Sequence, residues 1–501
     1  MTMRAAVARG ALALGATRIV INLAALGSLV VVARLLTPED FGVVAIATTL
    51  LGIIIAVTEL SVGSALVQRA EVTQQHIDSA WSLALLRSLL MAAAFAAAAL
   101  PLADLYGDER LTPVFVLSGL TGAISGLINP KVMLKTKDMR FAPMLGVQLS
   151  QKLIGLAAGI VLALWLRNYW AVLIGNAVGA LTGVLLSYLV APYRPRFTLA
   201  RARDIMGFSG WLFMGQVVTV LNWRFDHLLF GFVLTRPQLG TYSMADSVAA
   251  IPSREVTTPF VQALFPGFSA VNGDDITRLR RAYGTAQAAI GMVALPAGFG
   301  LAAIADPLVR VALGEKWLAA VPLIQIIAAC YAIQTLAIGV RPLAMARGDT
   351  RALFWRELVG LGMRVPLVTV GLLVGGMVGA AWGRALGAVV MTLIAFRLVR
   401  EILGLGIAAQ VWAHRRTIAA TAAMTMVVWA GEAHLARFAP EVVLALLLPA
   451  GGLVYLSVLG LLWVAEGRRA GPETELLGLA RGVLAKSLAF AAARRVPPIS
   501  R

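Results

Sequence analysis

Charged side chains within apolar segments are the residues of this sequence best suited to chemistry. Two neighbouring apolar segments carry six titratable or cationic residues: Arg224, Asp226, His227, Asp246, Arg254 and Glu255. A charge at the centre of a membrane-spanning helix costs about 2.5–3.5 kcal/mol, so it persists where it faces protein or a water-filled cavity. Arginine can hold a phosphate through two parallel hydrogen bonds, and a carboxylate can neutralise arginine or carry a proton. The pattern predicts a charged cavity between helices.

Other charges inside apolar segments extend this candidate set: Arg18, Glu59, Arg87, Lys152, Arg364 and Arg384. Arg18 and Arg87 lie within about two helical turns of a segment end, from which a long side chain can also reach the membrane interface. Lys152 lies deeper, on a helix face of polar and small residues, and is predicted to line the cavity. Arg364 and Arg384 are interpreted as donors of interhelical hydrogen bonds.

The residue types suggest two roles within the cavity. The cations outnumber the carboxylates by three, which favours an anionic ligand. The predicted ligand contacts are Arg224, Arg254, Lys152, Arg18 and Arg87. The predicted charge-pairing or proton-relay residues are Asp226, His227, Asp246, Glu255 and Glu59. Asp246 and Glu255 are expected to hold Arg224 and Arg254 while the cavity is empty.

Three prolines at two-turn spacing follow Asp246 in the sequence. Pro252, Pro259 and Pro266 recur every seventh residue within one apolar segment. Proline removes a backbone hydrogen bond and bends a helix. We therefore predict that this segment is a hinge beside the charged cavity.

The elements that must position these residues are membrane-spanning helices. The chain of 501 residues is 59% hydrophobic and 14% charged, against roughly 25% charged in soluble proteins. A span needs about 20 apolar residues. The sequence predicts an all-α polytopic protein with about fourteen spans: 11–33, 42–66, 79–103, 111–130, 142–166, 169–191, 206–233, 239–268, 284–305, 317–340, 354–375, 376–400, 416–433 and 440–464.

The 43 lysines and arginines, which give the chain its net charge of +18, are unevenly distributed among the connections. Most of them fall in alternate connections and in the tails, while seven fall in the opposite connections: Arg34, Arg110, Arg167, Arg236, Arg310, Lys316 and Arg437. The positive-inside rule then places both termini in the cytoplasm. Anionic inner-leaflet lipid accounts for the basicity without nucleic acid.

An internal repeat relates the two halves of the chain. Leu36-Thr37-Pro38-Glu39-Asp40-Phe41-Gly42 and Leu234-Thr235-Arg236-Pro237-Gln238-Leu239-Gly240 match at Leu, Thr and Gly, 198 residues apart. Gly175-Asn176-Ala177-Val178-Gly179 is echoed by Gly383-Arg384-Ala385-Leu386-Gly387. A unit of six spans is even, so both halves enter the membrane in the same direction. We predict two six-helix lobes related by a parallel pseudo-two-fold axis along the membrane normal.

The predicted domains follow from this repeat. They are an N-terminal lobe (1–191), a basic cytoplasmic linker (192–205), a C-terminal lobe (206–400), two additional spans (401–465) and a basic amphipathic tail (466–501). The small residues Gly175, Gly179 and Gly183, and likewise Gly375, Gly379, Gly383 and Gly387, are predicted to let helices approach closely.

Several classes of activity find no support in the sequence. Four scattered histidines and one cysteine form no metal-ligand spacing, and no Gly-rich loop with Lys-Ser/Thr indicates nucleotide hydrolysis. We therefore expect a transporter rather than an enzyme, with neither metal nor cofactor. Its expected energy source is a proton or sodium gradient, or the substrate's own gradient.

The sequence resembles a known family of transporters. The Arg34–Gly42 connection, the Arg224–Ala245 block and the Leu264–Ser269 motif are similar to those of Wzx-type polysaccharide flippases. These belong to the multidrug/oligosaccharidyl-lipid/polysaccharide exporter superfamily. The family carries an Asp-Arg pair where this chain has Asp226-His227.

The resemblance implies a bacterial inner-membrane protein that flips undecaprenyl-diphosphate-linked oligosaccharides for lipopolysaccharide, exopolysaccharide or capsule synthesis. It also implies partners: the lipid-linked glycan, membrane lipid, a polysaccharide polymerase and glycosyltransferases. A lipid II flippase and a drug or cation antiporter of the same superfamily are the alternatives, the latter disfavoured by the excess of cations. A non-transporting scaffold or a glycan polymerase is a further alternative, although a polymerase would carry a large periplasmic loop.

Overall fold

Long helices make up the chain in the computed structural model, which describes residues 3–58, 66, 71–136, 141–203, 210–271 and 275–467. Up to residue 271, the described residues form α1 Met3–Leu35, α2 Pro38–Thr58, α3 Gln74–Tyr106, α4 Leu111–Gly126, α5 Lys131–Leu134, α6 Ala142–Leu166, α7 Trp170–Val190, α8 Gly210–Val233 and α9 Arg236–Val271. The others are α10 Ile276–Ala303, α11 Ala305–Leu308, α12 Val321–Thr335, α13 Val340–Ala346, α14 Thr350–Leu403, α15 Ile407–Trp412, α16 Arg415–Leu435 and α17 Pro440–Ala465. A π-helical turn, Val309–Leu313, and a 3-10 turn, Glu315–Ala320, lie between α11 and α12.

The predicted all-α polytopic fold is confirmed. Within the described ranges, ten helical stretches are long and apolar enough to cross a membrane, judged by length and composition. One of these, Arg351–Leu403, has more than twice the length that a single crossing needs. The count of fourteen spans stays a prediction.

Helix α14 is a helical hairpin. Gly375 and Gly376 depart from helical geometry, with φ/ψ of −133°/20° and 60°/−147°. A Cβ on Gly371 would overlap the carbonyl oxygen of Gly379, so the two arms pack backbone against backbone. The break falls at the boundary predicted between spans 354–375 and 376–400, and only glycine readily adopts the second of these conformations.

Small residues join α6 to α7, as the sequence predicts. A Cβ on Gly175 would lie 2.8 Å from the Cα of Gly159, and one on Gly179 would lie 2.8 Å from the carbonyl oxygen of Gln151. Close approach of this kind is typical of small-residue faces between membrane helices. The small residues that share the Lys152 face of α6 therefore form a helix interface, while the role of Lys152 in lining a cavity stays a prediction. Lys152 itself is exposed.

The two repeated connections are matching helix caps. Thr37 Oγ1 donates to Asp40 Oδ2 at 2.7 Å, and the Thr37 amide donates to the same oxygen at 3.0 Å. In the second copy, the Thr235 amide donates to Gln238 Oε1 at 3.1 Å. A side chain three residues into the helix thus bonds back to the cap residue, as in a capping box. This geometry explains why threonine and a carboxylate or amide recur at the same spacing.

The repeated glycines bring the two caps into contact. A Cβ on Gly240 would overlap the carbonyl oxygen of Pro38, and one on Gly42 would overlap that of Arg236. The first turns of α2 and α9 therefore cross at one end of the bundle. An inverted repeat would place these connections at opposite ends, so the contact agrees with a parallel repeat. The pseudo-two-fold axis itself stays a prediction, as do the predicted lobe boundaries.

The chain divides into two compact units. The first comprises the residues up to Val248, Ala305–Ile327 and Thr350–Gly387. The second comprises Ala249–Ile304, Ala328–Asp349 and the residues from Ala388 onward. In the second unit, α16 packs on α17 and on α10, and Tyr455 Oη of α17 donates to the carbonyl oxygen of Met292 in α10 at 2.6 Å.

A buried histidine makes the second unit sensitive to pH. His414 precedes α16 and is 3% exposed, and burial lowers its pKa to about 4. The unfolded chain binds a proton near pH 6.5, so this contribution to stability is present above pH 6.5 and is lost as the pH falls towards 4. We expect a loss of up to about 3 kcal/mol.

The measurement is the thermal unfolding midpoint of the wild type and of His414→Gln between pH 7 and pH 4. The wild type is expected to lose more stability than the variant across this window, because glutamine does not titrate. Parallel curves for the two proteins would contradict the assignment.

Candidate functional site

A bidentate ion pair lies at the centre of the candidate site. Asp226 is in α8, and Arg364 is in the first arm of α14. Arg364 Nε donates to Asp226 Oδ1 at 3.0 Å, and its Nη2 donates to Oδ2 at 2.6 Å. The Asp226 side chain is 1% exposed, and the Arg364 side chain is 14% exposed. The fork of arginine matches the two carboxylate oxygens, which makes this one of the stronger ion-pair geometries.

A second arginine joins this pair to α9. Tyr242 Oη donates to Asp226 Oδ2 at 2.9 Å and accepts from Arg384 Nη1 at 2.8 Å. Arg384 Nη1 also lies 2.8 Å from Asp246 Oδ1 and 3.5 Å from Asp226 Oδ2. Tyr242 and Asp246 stand one turn apart on α9, so they present one face to the second arm of α14. We call Asp226, Tyr242, Asp246, Arg364 and Arg384 the ion cluster.

The ion cluster is neutral overall. Two carboxylates and two guanidinium groups balance, and each makes at least one close contact with an opposite charge. Neutralisation of this kind makes burial of the charges tolerable, since an isolated charge would cost several kcal/mol. The cluster also ties α8 and α9 to both arms of α14. Asp246 is its most exposed carboxylate, with 21% of the side chain accessible.

His227 lies next to the ion cluster. Its ring stands edge-on to Tyr242 with centroids 5.5 Å apart, and the residue is 7% exposed. Among the described residues, no hydrogen-bond partner is found for its Nδ1 atom. The histidine therefore adds a polar atom to the site without joining the ion pairs.

Arg224 lies two residues before Asp226 of the ion cluster, on the side of α8 that faces α2. A Cβ on Gly52 would lie 3.3 Å from Arg224 Nη2. The guanidinium thus rests against the backbone of α2, at a position where any larger residue would press on it. Arg224 is half-buried. Its position places a cation between α2 and α8, the helix that carries Asp226.

A second polar network lies at one end of the first compact unit. Arg236 Nε lies 3.1 Å from Asp108 Oδ2, and Arg110 lies 2.9 Å from both Asp108 and Glu39. Burial favours the neutral form of Asp108, but the hydrogen bonds from Arg110 and Arg236 outweigh it and hold its pKa below the ordinary value. The network joins the predicted periplasmic connections of both halves.

The turn between α11 and α12 completes this closed end. Trp317 is fully buried, and its Nε1 donates to the carbonyl oxygen of Ala33 at 2.9 Å. Lys316 Nζ donates to the carbonyl oxygen of Leu36 at 2.6 Å, and Arg34 donates to the carbonyl oxygen of Val311. The last carbonyl groups of α1 are thereby capped by side chains from the second half of the chain.

Comparisons with known proteins identify the family. The family model described as "Polysaccharide biosynthesis protein" matches residues 31–322. The chain belongs to this family. The match includes α8, α9 and both repeated connections, and the resemblance to Wzx-type flippases that the sequence predicts is confirmed.

Curated members of the polysaccharide biosynthesis family align over most of the chain. The lipopolysaccharide biosynthesis protein WzxC of Escherichia coli (strain K12) is 22% identical over 402 residues, covering 78% of this chain and 80% of its own. The succinoglycan biosynthesis transport protein ExoT of Rhizobium meliloti (strain 1021) is 26% identical over 352 residues, covering 70% and 71%. These relatives place the chain among membrane transporters of polysaccharide biosynthesis.

A solved structure shares the fold of this family member. The lipid II flippase MurJ in an inward closed conformation superposes with a TM-score of 0.72 at 14% identity. The alignment covers 90% of this chain and 98% of MurJ. At this identity, the likeness shows the fold alone.

The predicted site residues of this family member divide into three groups. Asp226, His227 and Asp246 come together, and Arg224 lies nearby. Arg18 and Lys152 are exposed, while Arg87 is half-buried on α3. Glu59 and the side chains of Arg254, Glu255, Pro259 and Pro266 lie outside the described residues. Helix α9 runs through the positions of all three predicted hinge prolines, of which Pro252 is half-buried.

Three cluster members were not predicted as functional residues of the site. The sequence predicts Arg364 and Arg384 only as interhelical donors, and it does not single out Tyr242. Asp246, which we expected to hold Arg224 or Arg254, pairs with Arg384, because the Tyr242 face of α9 turns towards α14. Two carboxylates at similar depth in adjacent spans were a usable signal, since each requires a cation at that depth.

Within the described ranges, no group of three or more His, Cys, Asp or Glu side chains could hold a metal ion. The ion pairs of the cluster offer a different chemistry, which is the exchange of charge partners. A proton on a carboxylate, or an anion at an arginine, would each compete with an existing ion pair.

Proposed function

We propose that this chain flips polyprenyl-diphosphate-linked oligosaccharides from the cytoplasmic to the periplasmic leaflet of a bacterial inner membrane. The glycan would serve lipopolysaccharide, exopolysaccharide or capsule synthesis, as the names of WzxC and ExoT suggest for those relatives. The observation that carries the proposal is the set of arginines on apolar helices around the α8–α9 segment. A lipid-linked diphosphate needs such cations, because an unpaired anion in low dielectric costs many kcal/mol.

The ion cluster narrows the choice of arginines that contact the diphosphate. Arg364 and Arg384 are already held by carboxylates, and their release would leave the buried Asp226 without a cation. Arg224, against Gly52 of α2, lies at the boundary between the predicted lobes. Arg254 lies on α9, two turns after Asp246. Arg224 and Arg254 are therefore our candidates for the diphosphate contacts, while the polyprenyl tail stays in lipid.

Alternating access would move these contacts from one leaflet to the other. The ion cluster would keep α8, α9 and α14 together as one body, and the prolines of α9 would supply the bend. Asp246 is the cluster carboxylate most open to water, so it is the candidate proton acceptor for coupling to a gradient. Both termini would lie in the cytoplasm, near the glycosyltransferases that supply the substrate, and a polymerase would consume it in the periplasm.

The test is complementation of a flippase-null strain. We expect Arg224→Ala and Arg254→Ala to reduce surface glycan at least tenfold at normal membrane levels of protein. Arg→Lys should rescue only in part, because lysine lacks the planar fork. Arg278→Ala, which removes an exposed arginine at the start of α10, is the matched control and should export normally.

Full export by the Arg224→Ala, Arg254→Ala double variant would refute the contact assignment. Accumulation of lipid-linked glycan in the cytoplasmic leaflet of the null strain distinguishes a flipping defect from a defect in synthesis. Its absence in that strain would argue against flipping itself.

A further inference from the structure

The segment between α7 and α8 is fixed to the protein over most of its length. Residues 191–203, which we call the strap, follow α7 and are without regular structure up to position 201. Pro192 and Pro195 restrict its backbone. The sequence predicts a cytoplasmic linker at 192–205, and a free linker would make few buried hydrogen bonds.

One turn of α3 holds the strap in place. Tyr193 Oη donates to Asp78 Oδ1 at 2.7 Å. The amide of Thr198 donates to Ser82 Oγ at 2.9 Å, and the amide of Arg201 donates to Ser79 Oγ at 3.1 Å. Both serines are completely buried, and Asp78 is 5% exposed. The anchoring groups thus lie beneath the strap at three successive points.

The outward side of the strap is basic and apolar. Its exposed residues include four arginines, an aromatic ring and a leucine: Arg194, Arg196, Phe197, Leu199, Arg201 and Arg203. Phe197 is 62% exposed and Leu199 is 43% exposed. The sequence of the strap contains no carboxylate, and Asp78 is covered by Tyr193. Cations interleaved with apolar side chains match a surface that has both phosphate and acyl groups.

Two lysines extend the basic surface from the neighbouring α5. Lys131 Nζ lies 5.2 Å from the ring centroid of Tyr193. Lys135 Nζ donates to the carbonyl oxygen of Val190, the last residue of α7, at 2.7 Å. The strap and α5 therefore present cations side by side at the end of the bundle where α3 begins and α7 ends.

We propose that the strap is a docking surface for the headgroups of anionic phospholipids. It lies where two membrane-spanning helices end, which is the depth of the lipid phosphates. Its backbone is already ordered, so binding costs little conformational freedom. Each basic side chain near an anionic surface contributes about fivefold in affinity. The strap thereby holds this end of α3 and α7 at the headgroup layer.

The experiment measures which lipids surround the strap and involves no transport, so its failure leaves the proposed flipping untouched. The sole cysteine, Cys330, is buried, so Ala200→Cys places one accessible thiol on the strap for a bimane label. The protein is reconstituted in nanodiscs of phosphatidylcholine and phosphatidylglycerol. Bimane quenching is compared between 5-doxyl-phosphatidylglycerol and 5-doxyl-phosphatidylcholine at equal mole fractions.

We expect phosphatidylglycerol to be preferred at the label by at least about fivefold, the contribution of a single cation near an anionic surface. Substitution of Arg194→Gln, Arg196→Gln and Arg201→Gln together, or high salt, should bring the ratio close to one. The control variant carries Arg341→Gln, Arg347→Gln and Arg351→Gln, which remove exposed arginines of another connection, and should keep the preference.

Three outcomes would overturn the proposal. One is equal quenching by the two lipids in the wild type. Another is an unchanged preference in the strap variant. The third is displacement of phosphatidylglycerol by undecaprenyl diphosphate at a far lower mole fraction, which would make the strap a site for that diphosphate instead.

Discussion

Asp226→Ala is expected to destabilise the protein by about 3–5 kcal/mol, the usual effect of leaving a buried charge without its partner. Arg364 would lose both of its carboxylate contacts, and Arg384 would lose its contact with Asp226 while it keeps those with Asp246 and Tyr242. Tyr242 would lose the acceptor of its hydroxyl hydrogen. The loss should appear as a lower thermal unfolding midpoint in detergent or in nanodiscs.

Arg397→Ala is the matched control for this effect. Arg397 pairs with Glu401 one turn further along the same helix, and these side chains are 77% and 58% exposed. Exposed pairs of this kind are worth about 0.3–0.5 kcal/mol. A double variant, Asp226→Leu with Arg364→Met, should recover part of the loss, because it removes both charges of the bidentate pair. Equal effects of Asp226→Ala and Arg397→Ala would contradict the buried cluster.

Gly240→Ala is expected to disrupt the crossing of α2 and α9, although it adds a single methyl group. The new Cβ would overlap the carbonyl oxygen of Pro38, and neither helix backbone can yield without breaking a cap. Strain between packed backbones costs about 1–3 kcal/mol or more. Glycan export should fall with the stability, since the crossing closes the predicted periplasmic end.

Gly284→Ala makes the same chemical change at an open position. Within α10, a Cβ on Gly284 would meet nothing within 4 Å. There, alanine should stabilise the helix by about 0.5–1 kcal/mol. Opposite signs for the two substitutions, measured by thermal unfolding, are the expected result. Normal stability and export by Gly240→Ala would show that the two connections are further apart than described.

Sequence reasoning was most successful where the signal is local. The lengths of the apolar segments predict the helices, because a membrane span must form its backbone hydrogen bonds within itself. The Leu-Thr…Gly repeat predicted two equivalent connections, and their cap bonds and glycine contacts explain the conserved spacing between the copies. The break at Gly375 and Gly376 also falls at a predicted boundary.

The sequence could not predict which charged residues on distant helices pair with each other. Asp226 and Arg364 are 138 residues apart, and Tyr242 and Arg384 are 142 apart. Helical periodicity shows which face a residue occupies, but the neighbour of that face depends on how distant helices pack. For this reason Arg364 and Arg384 were recognised as buried donors, while their carboxylate partners came only from the structure.

The ion cluster belongs to one half of the predicted repeat. At the offset of 198 that aligns the two connections, Asp226 and Asp246 correspond to Ser28 and Thr48. Ser28 is buried, and the Thr48 hydroxyl donates to the carbonyl oxygen of Val44, so these positions are neutral. After a duplication, natural selection would then act differently on the two copies. Homologues should tolerate exchange among small polar residues at 28 and 48, whereas 226, 246, 364 and 384 should change only together.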